Sequence, residues 1–120
     1  MKKLTNKEEE VMQVLWKLKK AFVKDIIEEL PEPRPHYNTA STIVRLLEER
    51  GFVSHKAYGN AHQYYPIVSK RDYTRHFMGD VLANYFDNSL KRMVAFFAEE
   101  EELSEEEAQE IIRLIEKKNE

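Results

Sequence analysis

Residues 38–67 read NTASTIVRLLEERGFVSHKAYGNAHQYYPI, and the reading of this stretch decides the fold. Its first half has helical periodicity. With Ala40 set at zero and 100° per residue, Ile43, Val44 and Leu47 fall within about 60° and form a core face. Asn38, a good N-cap type, opens this helix near residue 38, and Gly51 closes it just past Arg50. The second half alternates. Residues 52–58 and 61–67 read as two strands around Gly59-Asn60, and Gly at the first central position suits a type II′ hairpin.

Upstream, Thr5 and Glu8 form a capping-box pattern preceded by Leu4, which can act as a staple. Val11, Val14, Leu15 and Leu18 carry the first helix to about Lys19, with Trp16 at the core edge. Ala21, Phe22 and Val23 read as an apolar link, and Ile26, Ile27 and Leu30 form one face of a short second helix stopped by Pro31. Three prolines between Pro31 and Pro35 exclude helix there and make a stiff connector. Three helices followed by a hairpin is the order of a winged helix-turn-helix.

Downstream, Ser69 with Asp72 is a second N-cap pattern, and Tyr73, Phe77, Val81 and Phe86 continue at helical intervals. Leu90, Met93, Val94 and Phe97 mark another helix, and Ser104 opens a last one carrying Ile111, Ile112, Leu114 and Ile115. Three short helices enclose little core alone, yet this region holds six of the chain's aromatics, which need a partner surface. A symmetric dimer supplies one. Tyr73, Phe77, Val81, Phe86, Phe97, Ile111 and Ile115 are therefore expected at a dimer interface. The expected organisation is mainly α, with a winged-helix domain at 1–70 and a helical dimerisation domain at 71–120.

Charge supports two tasks on one chain. The 120 residues carry net −3, but residues 1–70 carry +3 and residues 71–120 carry −6. The acidic runs at 99–102 and 105–107 account for much of that difference. There is no cysteine, which excludes disulfides, thiolate nucleophiles and cysteine-built zinc sites and favours a cytoplasmic setting. No apolar run approaches the roughly 20 residues of a membrane helix.

The outward face of the third helix carries the functional signal. Asn38, Thr39, Ser41, Thr42 and Arg45 are small hydrogen-bonding residues plus one arginine. Short side chains allow close approach to a major groove, where Asn pairs with adenine, Arg with guanine and a Thr methyl with thymine. An ordinary solvent face would carry more Lys and Glu. Glu48 and Glu49 fall at the far end, where a docked helix leaves the groove. Lys56, Tyr58, Asn60 and His62 surround the hairpin tip and can hold phosphate or reach a minor groove, with Lys56 the best phosphate contact.

An enzyme or metal centre finds no support. HExxH, a nucleophile elbow and a phosphate-binding glycine loop are all missing. His55 and His62 can share one hairpin face, but two histidines without a nearby carboxylate make a poor zinc site. No catalytic residue, metal or cofactor is expected. The alternative function is a winged helix that docks proteins without DNA, which the sequence pI of about 5.9 supports.

The ordered set Leu4-Thr5 with Glu8, Val11-Met12, Leu15-Trp16, Thr39 with Thr42, Leu47, Gly51-Phe52-Val53, His55-Lys56, Gln63-Tyr64-Tyr65 and Leu103-Ser104 resembles the penicillinase-repressor family, the BlaI/MecI type of bacterial transcriptional regulator. The resemblance spans nearly the whole chain. It implies a homodimeric repressor, with a winged helix on each half of a palindromic operator and C-terminal helices that dimerise. In some members a membrane sensor metalloprotease triggers cutting at an Asn–Phe bond in the C-terminal domain. The matching bond here is Phe96–Phe97, so the first residue departs from the pattern. Copper-responsive relatives carry C-terminal cysteines, which this chain lacks.

Overall fold

The computed structural model describes residues 1–100 and 102–118. Glu101, within the first acidic run, lies outside the described residues. The chain divides into two compact units, Met1–Thr74 and Arg75–Glu120.

In the first unit, α1 (Asn6–Leu18) starts with the capping box expected from Thr5 and Glu8. The Glu8 amide donates to Thr5 Oγ1 at 3.2 Å, and the Thr5 amide donates to Glu8 Oε1 at 2.9 Å. Leu4 is buried, but the fourth helical position is Glu9, which leaves no apolar staple partner there. Leu4 is instead anchored through its amide, which donates to the Tyr73 hydroxyl at 3.0 Å.

Ala21–Phe22, read from sequence as a link, forms a strand, β1. It is followed at once by α2 (Val23–Glu29), whose first turn is tied by the Phe22 amide donating to Asp25 Oδ2. Helix α3 covers Tyr37–Glu49. Its N-cap is His36, with no side-chain cap bond, so Asn38 lies inside the first turn rather than capping it. The difference comes from the connector, which delivers an extended His36 (φ −66°, ψ 156°) directly after Pro35.

The C-terminus of α3 follows its sequence signal. Gly51 has φ 83°, a conformation that costs a residue with Cβ. Its amide donates to the Glu48 carbonyl at 3.0 Å, and the Phe52 amide donates to the Leu47 carbonyl at 2.9 Å. This Schellman pair turns the chain directly into β2 (Val53–Tyr58). Strand β3 (Ala61–Pro66) returns antiparallel, with Tyr58 opposite Ala61 and Val53 opposite Pro66. Each strand is one residue shorter than expected, because the amides of Ile67 and Val68 both donate to the Phe52 carbonyl outside the ladder. Gly59 has φ 62° while Asn60 does not enter the left-handed region, the II′ arrangement. The sheet order is β1-β3-β2, with Ala21 opposite Tyr64 and Phe22 opposite Gln63.

The core joins α1, α2, α3 and the sheet through Met12, Leu15, Ile26, Val44, Leu47 and Val53. Truncating one such side chain to Ala costs about 2–5 kcal/mol. Ile43, expected in the core, is half-buried. An ion pair ties the end of α3 to the start of α1: the Arg50 guanidinium donates to Glu8 Oε1 and also to the Lys3 carbonyl at 3.1 Å. Burial raises the Glu8 pKa, but hydrogen bonds from Arg50 and Thr5 and the Arg50 charge outweigh it, so the net shift is downward. A carboxylate with a lowered folded-state pKa stabilises above its unfolded value, here 4.5, and loses that contribution as pH falls through the folded value. Glu8→Gln should therefore cost about 1.5–3 kcal/mol at neutral pH. The gap between wild type and variant should close on acidification, as measured by unfolding midpoints. A gap independent of pH would remove the ion pair from the stability account.

Helix α4 (Lys70–Tyr85) is capped by Ser69 Oγ, which accepts from the Asp72 amide at 3.0 Å. Its first turn belongs to the first unit. Tyr73 is buried there, with its ring 5.8 Å from Trp16 and 6.0 Å edge-on from Phe52. Tyr73 therefore leaves the set expected at a dimer interface: its ring and hydroxyl close the winged-helix core.

In the second unit, α5 (Leu90–Glu99) is capped by Ser89 and packs against α6 (Glu105–Lys118). Lys91 and Glu116 pair across them at 3.1 Å.

Candidate nucleic-acid interface

The orientation of α3 is set by Ala40, Val44 and Leu47, all fully buried. Asn38, Thr39, Thr42 and Arg45 are consequently exposed, and Ser41 is half-buried. Thr42 Oγ1 donates back to the Asn38 carbonyl at 2.9 Å, which commits its hydroxyl proton to its own helix. Arg45 lies along its own helix, with Nε 3.4 Å from the Ser41 carbonyl and Nη2 3.4 Å from Thr42 Oγ1. Both contacts are at the outer limit of hydrogen bonding, so little holds the guanidinium back from a ligand.

Sequence reasoning passed over Tyr37. It begins α3, is 60% exposed and stands one turn before Ser41. The signal was its spacing: positions 37, 41 and 45 share one helical face. Tyr37, Ser41 and Arg45 meet Asn60 and His62 of the wing around a cleft of about 270 Å³. The structure thus brings two of the four wing candidates to the recognition face.

The other two sit elsewhere. The register places Lys56 and Tyr58 on the opposite sheet face, beside Gln63 and Ala61. There the Lys56 ammonium lies 5.5 Å from the Tyr58 ring centroid, and Tyr58 packs edge-on against Phe22 at 6.1 Å. Lys56 and Tyr58 flank the tip from outside, while Asn60 and His62 face α3.

The histidines do share a face, with rings stacked 4.2 Å apart. The expectation that no carboxylate is near is corrected. Glu48 Oε2 lies 2.7 Å from His55 Nδ1, because the tight turn at Gly51 folds β2 back along the end of α3. Among the described residues no group of three His, Asp or Glu side chains has metal-holding geometry. Glu48 therefore couples helix to wing. Burial pushes the Tyr64 phenol up, with the Glu48 charge adding to this and Arg45 opposing it. That keeps Tyr64 a neutral wall behind the cleft.

In the second unit, Phe77, Val81, Phe86, Ile111 and Ile115 are half-buried and Phe97 is exposed. The Phe96–Phe97 bond lies within α5, with both rings on the surface. Among the described residues, no helix is long and apolar enough to cross a membrane.

Residues 4–117 match the family model for penicillinase repressors. Over 116 residues the chain is 28% identical to the methicillin resistance regulatory protein MecI of Mammaliicoccus sciuri, spanning 96% of this chain and 94% of that protein. It is 29% identical over 114 residues to the penicillinase repressor of Bacillus licheniformis, spanning 94% and 89% respectively. The solved DNA-binding domain of the repressor BlaI superposes with a TM-score of 0.52 at 30% identity, covering 61% of this chain and 94% of that domain.

Proposed function

This chain belongs to the penicillinase repressor family and is a DNA-binding transcriptional repressor of the BlaI/MecI type; from that premise we propose that it acts as a homodimer on a palindromic operator. Each α3 enters a major groove, with Asn38, Thr39, Ser41, Thr42 and Arg45 nearest the bases and Tyr37 at the entry. Asn60 and His62 follow the same strand from the wing, and Lys56 and Tyr58 hold the flanking backbone. The docking-only alternative gives way, since the family consists of repressors rather than enzymes or adaptors.

The observation that carries the reading is the acid-free face of α3. From residue 37 to residue 47 it offers hydrogen-bonding groups and one cation, and no carboxylate that would repel phosphate. Glu48, the first carboxylate, is already engaged by His55.

A gel shift and footprint on the DNA upstream of the chain's own coding sequence test this. Protection of two half-sites about one helical turn, or a multiple, apart is expected. Protection of a single half-site would overturn the dimer. Lys56→Ala should weaken all sequences alike and lower the slope of log affinity against log salt by about one. An unchanged slope would take Lys56 off the phosphate backbone.

Repression in the cytoplasm and relief by a membrane sensor protease are the further parts of this reading. Phe96–Phe97 is the candidate bond. A protease needs an extended segment, so cutting there requires α5 to unwind locally.

A further inference from the structure

The first unit carries a second surface feature that DNA reading does not use. A groove of about 800 Å³ runs between the C-terminal half of α1 and the base of β3. Its floor is apolar: Trp16, Tyr65 and Ile67, of which Tyr65 is 42% and Ile67 59% exposed. The Trp16 ring is fixed in place by its Nε1–H donating to the Val68 carbonyl at 2.9 Å. Lys17, Lys19 and Lys70 stand around the edge.

Lys17 and Lys19 close α1, where the helix dipole favours a cation, so local energetics account for two of the three lysines but not for Lys70. Lys70 begins α4, where the helix dipole disfavours a cation. Lys19 holds φ 73° at the end of α1, a conformation usually given to glycine or asparagine. Lys17 pairs with Glu29 at 3.0 Å, but among the described residues no carboxylate pairs with Lys19 or Lys70. Two uncompensated cations thus border exposed aromatic and aliphatic surface, on a chain whose overall charge is negative. An exposed apolar patch rimmed by polar groups is the usual form of a protein-binding site.

The groove takes no residue from α3 and lies at the base of the wing. Side chains alternate along β3, so Tyr65 lies on the opposite face from Tyr64 and His62, which turn toward α3. It is open along its length, whereas small-molecule sites enclose most of their ligand.

We propose that this groove docks an acidic peptide segment of a protein partner, with an aromatic or branched aliphatic side chain on Trp16, Tyr65 and Ile67 and carboxylates on Lys19 and Lys70. The repressor would then hold a second protein at the base of the wing, apart from the exposed face of α3.

Trp16 is the chain's one tryptophan, so its emission reports on the groove directly. The full-length protein is titrated with a short synthetic peptide of glutamates flanking a central Phe-Leu pair. A saturable change in emission is expected. The double variant Lys19→Glu, Lys70→Glu should weaken it about tenfold or more while keeping the wild-type unfolding midpoint. Equal binding by that variant would overturn the proposal. So would equal binding of a peptide with Gln for every Glu, which removes the charge requirement, or of one with Ser for Phe and Leu, which removes the apolar anchor. Displacement of the peptide by a short duplex would also overturn it, by assigning the groove to DNA.

Discussion

A fragment ending at Thr74 will sediment as a monomer and bind the operator about 10²–10⁴-fold more weakly than the intact chain. The loss is that of a tethered second half-site, with no base contact changed. The first unit keeps its own core in such a fragment, because Tyr73 still reaches Leu4, Trp16 and Phe52. The second unit is the reason a partner is proposed. Among its described residues only Val94 and Ala108 are buried, while Tyr85, Leu90, Phe96, Phe97 and Leu114 are exposed. Burying an aromatic or leucine side chain is worth about 1.5–3 kcal/mol, and one copy of this unit leaves much of that unrealised. A dimeric fragment, or one with undiminished affinity, would refute this assignment. A cut at residue 70 would differ: it would remove Tyr73 and lower the unfolding midpoint as well.

Replacing Arg45 with Ala should cost about 1–3 kcal/mol of operator affinity, roughly 5- to 150-fold, and relax preference at one base position. The side chain is exposed, central on α3 and held only by two 3.4 Å contacts to its own helix. Its removal leaves the core untouched, so the unfolding midpoint should not move. Binding to selected and scrambled duplexes separates the outcomes. An equal loss on both would make Arg45 a phosphate contact, and no loss on either would displace α3 from the groove.

Most of the fold was legible because its punctuation is local. Thr5 with Glu8, Gly51, Gly59 and Ser69 each fix a boundary through one backbone preference, and the structure places a cap or turn at each. The burial of Ala40, Val44 and Leu47 follows from spacing alone. What escaped depends on distant pairing. Ala21 and Phe22 are too short to show a strand period; they become β1 only because β3 offers an edge. Tyr73 looks like any helical aromatic until Leu4, far back in the chain, gives its amide to the hydroxyl. At the candidate site, the α3 face was readable because one helix carries it. The split of the wing residues between two faces follows from the same register that puts His55 with His62, whereas the Glu48–His55 contact, made by folding across Gly51, was not readable.

The short β1 has a mechanical consequence. It braces β3 only at Gln63 and Tyr64, so the sheet is three strands wide at its middle and two at its tip. Beyond that brace, Ala57 to His62 projects as a cantilever, stiff where it is clamped and compliant at the tip proposed to meet DNA. Amide exchange should accelerate stepwise from Tyr64 outward, and a finger built this way can follow grooves of different width while α3 stays in register.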